Sequence, residues 1–149
     1  MQTHIRIQAE DFDVNDELES LTRAQHAVGA LASFVGLVRA DDGLVALTLE
    51  HYPGMTEREI ARHVTEAAGR WPLNGVTIIH RVGRIEPGAR IVLVAVASSH
   101  RGAAFEACQF LMDYLKIRAP FWKQEERAAG AQWVEARTSD ESAAGRWRR

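Results

Sequence analysis

Apolar and polar residues alternate along several short stretches of the chain, as they do in β-strands with one buried face. The clearest stretch is residues 44–51, where Val45, Leu47 and Leu49 are separated by small or polar residues. Pro87-Gly88 marks a turn that joins two such stretches into a predicted hairpin. The pattern predicts strands over residues 5–8, 28–38, 44–51, 76–85, 90–98, 121–126 and 132–136.

Three other segments, residues 13–25, 56–70 and 100–116, repeat apolar residues at helical spacing. Thr56 and Glu59 have the spacing of a capping box, and Ser99 is expected to cap the third helix. Pro120 prevents that helix from continuing. Its predicted inner face consists of Ala104, Cys108, Leu111 and Leu115.

The order and spacing of these elements predict the fold class. Because the strands are joined mostly by short turns, the pattern favours an α+β fold over a parallel doubly wound sheet. The chain has 149 residues, a common size for one domain, and shows no internal repeat or long linker. We therefore expect residues 1–149 to form a single compact domain, an antiparallel-rich sheet with about three helices.

Composition excludes several classes of protein. The formal net charge of -2 argues against general nucleic-acid binding. Cys108 is the only cysteine, so no intrachain disulfide forms and a reducing compartment is expected. The first ten residues lack the apolar core of a signal peptide, and the apolar runs are too short to span a membrane. We expect a cytoplasmic protein that binds neither membrane nor nucleic acid.

Lysine usage points to two positions. Of the 18 basic residues 16 are arginine, and the two lysines are Lys116 and Lys123. A crowded lysine can lose its proton and act as acid, base or nucleophile, whereas arginine stays charged. The helix end and Pro120 between the two lysines can bring them together, so that one titrates abnormally. The alternative is codon bias with both lysines on the surface.

Two further segments are candidate anion sites. His100 and Arg101 lie where a strand feeds a helix N-terminus, a place that favours a phosphate or carboxylate; the alternative is an ordinary cap beside a solvated arginine. Gly36 permits a bulge or the close approach of another chain, and Arg39 then marks a rim. Cys108 lies on an apolar helix face, so we interpret it as a core residue. If this chain moves sulfur, it does not carry that sulfur itself.

Several longer blocks together resemble the MoaE family, the catalytic subunits of molybdopterin synthase. The similarity runs from about residue 5 to residue 147 and is densest in two blocks of unusual length. The matching stretches are residues 47–57 (LTLEHYPGMTE), 79–83 (IHRVG), 98–101 (SSHR), 110–123 (FLMDYLKIRAPFWK) and 133–137 (WVEAR).

The resemblance implies a specific activity. Family members form a central homodimer with a small ubiquitin-like subunit docked at each end, a heterotetramer. That partner ends in a Gly-Gly thiocarboxylate and supplies sulfur to cyclic pyranopterin monophosphate, which becomes molybdopterin in molybdenum cofactor biosynthesis. The family is thus a sulfurtransferase, and no metal or other cofactor is expected in this subunit.

The resemblance also implies roles for residues of this sequence. It makes Lys116 and Lys123 catalytic as well as substrate-binding. The other substrate-binding positions it implies are Leu37, Val38, Arg39, His100, Arg101, Gln124, Glu125 and Arg137. Leu37 and Gln124 depart from the pattern, because members of the family often carry basic residues there. Their side-chain roles are therefore in doubt.

Two other functions stay open on the sequence. One is a dimeric adaptor without catalytic activity that docks a ubiquitin-like protein through its basic residues. The other is a phosphate-ester hydrolase, which would need a metal constellation or a nucleophile, and the sequence displays neither.

Overall fold

The computed structural model describes residues 1–41, 43–128, 130–134, 145 and 147, and in these ranges the chain forms eight strands and three helices. The strands are β1 (Gln2–Gln8), β2 (Ala30–Leu37), β3 (Leu44–His51), β4 (Gly75–Arg81), β5 (Gly83–Ile85), β6 (Arg90–Ser98), β7 (Phe121–Arg127) and β8 (Gly130–Val134). The helices are α1 (Val14–Thr22), α2 (Met55–Arg70) and α3 (Arg101–Ile117).

The strands form two four-stranded sheets. The first has the order β1-β4-β6-β2, in which β1 and β4 are parallel and the other pairs antiparallel. The second has the order β5-β3-β7-β8 and is antiparallel throughout. Three helices and antiparallel-rich sheets confirm the α+β class predicted from the sequence.

The two central strands of the first sheet, β4 and β6, are buried on both faces, which explains why they consist almost entirely of apolar residues. Helices α2 and α3 pack on one face, where Ile60, Val94 and Leu111 belong to the largest apolar cluster. Helix α1 covers the other face, where Leu21 packs with Leu93. No helix in the described ranges is long and apolar enough to cross a membrane.

A small third cluster joins the two sheets. It contains Val38 just after β2, Leu47 and Leu49 of β3, and Ile85 of β5. Ile91 of β6 packs against it from the first sheet. The cluster therefore fixes the end of β2 against the face of the second sheet that bears the pocket described below.

The predicted strand over residues 76–85 is wrong in one respect. It divides at Val82 into β4 and β5, which belong to different sheets. Gly83 has a φ of 87°, a left-handed conformation that favours glycine and redirects the chain. The predicted hairpin holds only for β4, which pairs with β6, whereas β5 pairs with β3.

Two predicted helix caps are also wrong. At α2 the N-cap is Gly54, and the Glu57 carboxylate accepts a hydrogen bond from its backbone N–H at 2.8 Å. Thr56 is buried, and its hydroxyl accepts from the N–H of Tyr52. At α3 the N-cap is His100 rather than Ser99.

Gly36 behaves as the sequence suggests. The pairing of β2 with β6 shifts register between Gly36 and Leu37, which is a β-bulge. A Cβ at Gly36 would lie 2.7 Å from Cγ1 of Val92, so the close approach comes from a strand of the same chain. The bulge re-aims the residues that follow, Leu37 to Arg39, at the end of the strand.

Candidate functional site

A pocket of about 350 Å³ lies where the end of β2, the last turn of α3 and strand β7 converge. Its apolar wall extends from the cluster that joins the two sheets. Its charged wall carries three cations and two carboxylates. The lining residues are Leu37, Val38, Arg39, Asp41, Leu44, Leu47, Ile91, Lys116, Lys123 and Glu125.

Two elements place the lysines on this pocket. Lys116 lies in the last turn of α3, where a cation also interacts favourably with the helix dipole, and it is exposed. Lys123 is the third residue of β7, opposite Leu49 of β3, and it is partly buried. The chain reverses between them at Pro120. Both lysines therefore line one cavity although they are seven positions apart in the sequence.

Arg39 and Asp41, which follow β2, form the rim of the pocket. Nε of Arg39 lies 3.0 Å from Oδ2 of Asp41, and both side chains stay well exposed. Such an exposed ion pair contributes little to stability, so Arg39 can exchange this partner for an anionic ligand at little cost.

Glu125 is a largely enclosed charged group on the pocket, with a side chain 17% exposed. Oε2 of Glu125 lies 2.6 Å from Nη2 of Arg127. Nη1 of Arg127 donates to the backbone carbonyl of Asp41 at 3.0 Å. Arg127 thus connects β7 to the loop that supplies the rim.

A neutral histidine lies close to the lysines. His80 of β4 is 8% exposed and its ring stacks on Phe121. Burial is the main cause that lowers the pKa of His80 to about 4; the hydrogen bond with the Arg81 carbonyl opposes the shift, and the positive charges of Lys116, His51 and Lys123 contribute to it. At neutral pH the pocket cations therefore have an uncharged neighbour on this side.

Comparison with known proteins identifies the family. The sequence model of the family described as MoaE protein matches residues 7–118, most of the chain. The molybdopterin synthase catalytic subunit of Mesorhizobium japonicum is 58% identical over 147 residues, covering 97% of this chain and 92% of that protein. The chain belongs to the MoaE family.

Solved structures agree with this assignment. The molybdopterin biosynthesis MoaE protein of Burkholderia ambifaria superposes with a TM-score of 0.85 at 51% identity and covers 98% of both chains. A chain from the complex of subunits 1 and 2 of molybdopterin-converting factor from Helicobacter pylori has a TM-score of 0.73 at 20% identity, with 91% of each chain covered. At that identity the second likeness shows the fold alone.

The MoaE resemblance also implied roles for His100 and Arg101, and these lie elsewhere. Both residues are exposed at the N-terminal end of α3, and neither lines the pocket. Arg101 and Lys116 are 15 residues apart in one uninterrupted helix, which separates their Cα atoms by roughly 23 Å. Within one chain the two sets of basic residues form separate surfaces.

The MoaE resemblance implied roles for two more residues, Gln124 and Arg137. Gln124 pairs with Thr48 and Trp133, and because side chains alternate along a strand it points to the face opposite Lys123. It does not line the pocket. Arg137 lies outside the described residues.

Sequence reasoning missed three residues near the pocket. Asp41 and Arg127 are ion-pair partners of implied site residues, and His80 lies within the matched stretch 79–83 without an assigned role. The predicted strand 121–126 ends one residue before Arg127, whereas β7 includes it. Extending the alternation of Lys123 and Glu125 by two residues would have placed Arg127 on the face of Lys123.

Proposed function

We propose that this chain is the catalytic subunit of a molybdopterin synthase and acts as a sulfurtransferase in the cytoplasm. It takes sulfur from the C-terminal thiocarboxylate of a small ubiquitin-like partner. It transfers that sulfur to cyclic pyranopterin monophosphate, and two such transfers form the dithiolene that later holds molybdenum. The observation that carries the proposal is the convergence of Arg39, Lys116 and Lys123 on one pocket in a member of the MoaE family.

The shape and charge of the pocket suit an extended acyl tail with an anionic end. Leu37, Val38 and Leu44 supply apolar contacts, and both lysines line the same cavity. A Gly-Gly tail has no side chains, so it can lie against this wall without steric conflict. The Helicobacter pylori structure, whose name describes a complex of two subunits of molybdopterin-converting factor, supports a separate partner chain.

The lysines have complementary tasks in this proposal. Lys116 contacts the carbonyl of the partner's tail. It stabilises the negative charge that develops on the carbonyl oxygen when water attacks the carbon; the C–S bond then breaks, the sulfur stays on the pterin and the tail leaves as a carboxylate. Lys123 stabilises charge on the pterin or transfers a proton. Fixed cations facing developing charge are often the largest catalytic contribution.

We further assign each active site to two subunits of a homodimer. The substrate's phosphate requires donors such as His100 and Arg101, but roughly 23 Å of α3 separates Arg101 from Lys116. A pterin monophosphate is too short to reach both ends of that helix. The anion donors of one subunit therefore complete the lysine pocket of the other, and two-fold symmetry gives two equivalent sites.

The deciding experiment is reconstitution. The purified chain, the thiocarboxylated partner and cyclic pyranopterin monophosphate are mixed, and dithiolene formation is followed by mass spectrometry. We expect two sulfur atoms per pterin and the loss of one thiocarboxylate per transfer. Partner binding without pterin conversion would favour the adaptor, and phosphate release without sulfur incorporation would favour the hydrolase.

A further inference from the structure

Glu125 lies between two cations along strand β7. Lys123, Glu125 and Arg127 are spaced two residues apart, so their side chains project from the same face of the sheet. Neighbours at this spacing are about 7 Å apart at the backbone, within reach of long side chains. The carboxylate of Glu125 can therefore pair in either direction, with Lys123 inside the pocket or with Arg127 beyond it.

In the structure the carboxylate pairs with Arg127. The Nη2–Oε2 distance is 2.6 Å, short even for a charged hydrogen bond, and the Arg127 and Glu125 side chains are 33% and 17% exposed. The second contact of Arg127, to the backbone carbonyl of Asp41, fixes the guanidinium from the opposite side. A guanidinium held at two points by parts of the main fold is a well-oriented partner.

The pairing matters because of the charge balance of the pocket. Of its three lining cations, Arg39 already faces Asp41. Glu125 is the second lining carboxylate, and Arg127, which does not line the pocket, offsets its charge from outside. If that offset were lost, Glu125 would be left as an uncompensated anion beside Lys116 and Lys123.

We propose that Arg127 is a positioning residue that keeps Glu125 paired away from the pocket lysines and so preserves their charge for an anionic substrate. The inference rests on the proposed function to the extent that the lysines act on that substrate. Arg127 itself touches no substrate. The proposed effect passes through Glu125, so replacing Glu125 separates it from the structural contact of Arg127 with the Asp41 carbonyl.

The first test needs no enzymatic activity. The chain contains only two lysines, so lysine labelled with ¹³C at Cε gives two side-chain signals, and Lys123→Arg assigns them. In Arg127→Gln, the released carboxylate turns to Lys123, and the titration of the Lys123 signal moves to higher pH. In Glu125→Gln/Arg127→Gln the titration returns to that of Glu125→Gln alone. Lysine titrations that are the same in wild type and Arg127→Gln would overturn the inference.

The second test uses the transfer reaction with thiocarboxylated partner and cyclic pyranopterin monophosphate. Arg127→Gln should raise KM for the pterin about fivefold, the scale of one partly exposed ion pair, with a smaller effect on kcat. Arg127→Lys, which keeps a cation, should stay close to wild type. In the Glu125→Gln background the Arg127 substitution should have almost no further effect on KM.

A matched control is the ion pair of Glu126, which lies on the other face of β7. Arg84 pairs with Glu126 at 3.1 Å, and neither residue lines the pocket. Arg84→Gln should change neither the lysine titrations nor KM.

Two other outcomes would contradict the proposals. If Arg127→Gln raises KM equally with Glu125 and with Gln at position 125, Arg127 acts through the Asp41 loop and the inference fails. If wild type transfers no sulfur while the titrations behave as expected, the proposed function fails and the ion-pair arrangement stands.

Discussion

The imidazole of His80 stacks on the ring of Phe121, with ring centroids 4.0 Å apart and planes inclined by 21°. The contact joins the two sheets, since His80 lies on β4 and Phe121 begins β7. Nδ1 of His80 is 2.9 Å from the backbone carbonyl of Arg81. A carbonyl only accepts, so Nδ1 carries the proton of the neutral ring. The stack fixes the start of the strand that carries Lys123.

This histidine makes stability depend on pH. Its folded-state pKa is about 4, whereas the ordinary value is 6.5. Between these pH values the unfolded chain binds a proton that the folded chain does not. The contribution of His80 to stability is therefore complete above pH 6.5, decreases as the pH is lowered, and reaches its minimum below about pH 4. At about pH 5 the loss from His80 is about 2 kcal/mol. Urea titrations at neutral pH and at about pH 5 should show this loss in wild type and not in His80→Phe.

Exposed His26 provides the control for that measurement. His26→Gln should keep the wild-type pH dependence, because that side chain is not buried. If wild type and His80→Phe lose the same free energy of unfolding between the two pH values, the neutral buried imidazole is not the cause.

Local patterns predicted most of the elements, because the alternation of a strand and the apolar spacing of a helix can be recognised from a few neighbouring residues. Strand 44–51 was predicted with its observed bounds, and the inner face of α3 was predicted correctly, including the burial of Cys108. What failed was the assignment of strands to sheets. The division at Val82 depends on whether residues 83–85 are stabilised more by pairing with β3 than by pairing with β6. That difference depends on contacts between residues distant in sequence.

The candidate site likewise could be predicted only in part from the sequence. Lysine usage and the family resemblance pointed to Lys116 and Lys123, and the resemblance also pointed to Arg39; the structure places all three on one pocket. The partners Asp41 and Arg127 come from separate segments, and no short motif links them. Ion pairs of this kind form only once β7 lies beside β3, so they become visible only in the folded chain.

Lys116 should be indispensable for transfer. Lys116→Ala removes the cation nearest the proposed thiocarboxylate carbonyl, and loss of one such group typically lowers kcat by about 100-fold or more. Fold and partner binding should survive, since the side chain is exposed. Arg118→Ala, which removes an exposed cation two residues later, is the matched control and should retain activity. A single-turnover rate close to wild type in Lys116→Ala would remove this residue from the mechanism.

Lys123→Arg separates the two tasks proposed for Lys123. Arginine keeps the positive charge and does not give up its proton at physiological pH. Activity that largely survives means that charge stabilisation is the task, whereas a steep fall means that proton transfer is needed. The measurement is kcat as a function of pH, with lysine and arginine at position 123 compared in otherwise identical chains.

Cys108→Ala should retain sulfur transfer. The thiol is 7% exposed, its Sγ lies 3.7 Å from the Val94 carbonyl, and burial raises its pKa to about 11, so it is held away from solvent as a thiol. The substitution should cost about 1 kcal/mol of stability through lost packing. Loss of transfer in a folded variant would mean that the Cys108 thiol takes part in the reaction.

Subunit complementation tests the shared site. Arg101→Ala and Lys116→Ala dimers should each be inactive, because every site in them lacks one component. In a mixed dimer, one site combines the intact Lys116 of one chain with the intact Arg101 of the other, and the second site lacks both. Random exchange at equal concentrations makes about half of the dimers mixed, so about one quarter of all sites are restored. Recovery of roughly that fraction of wild-type activity is expected after exchange. No recovery, with mixed dimers verified by native mass spectrometry, would place every catalytic group of a site within one chain.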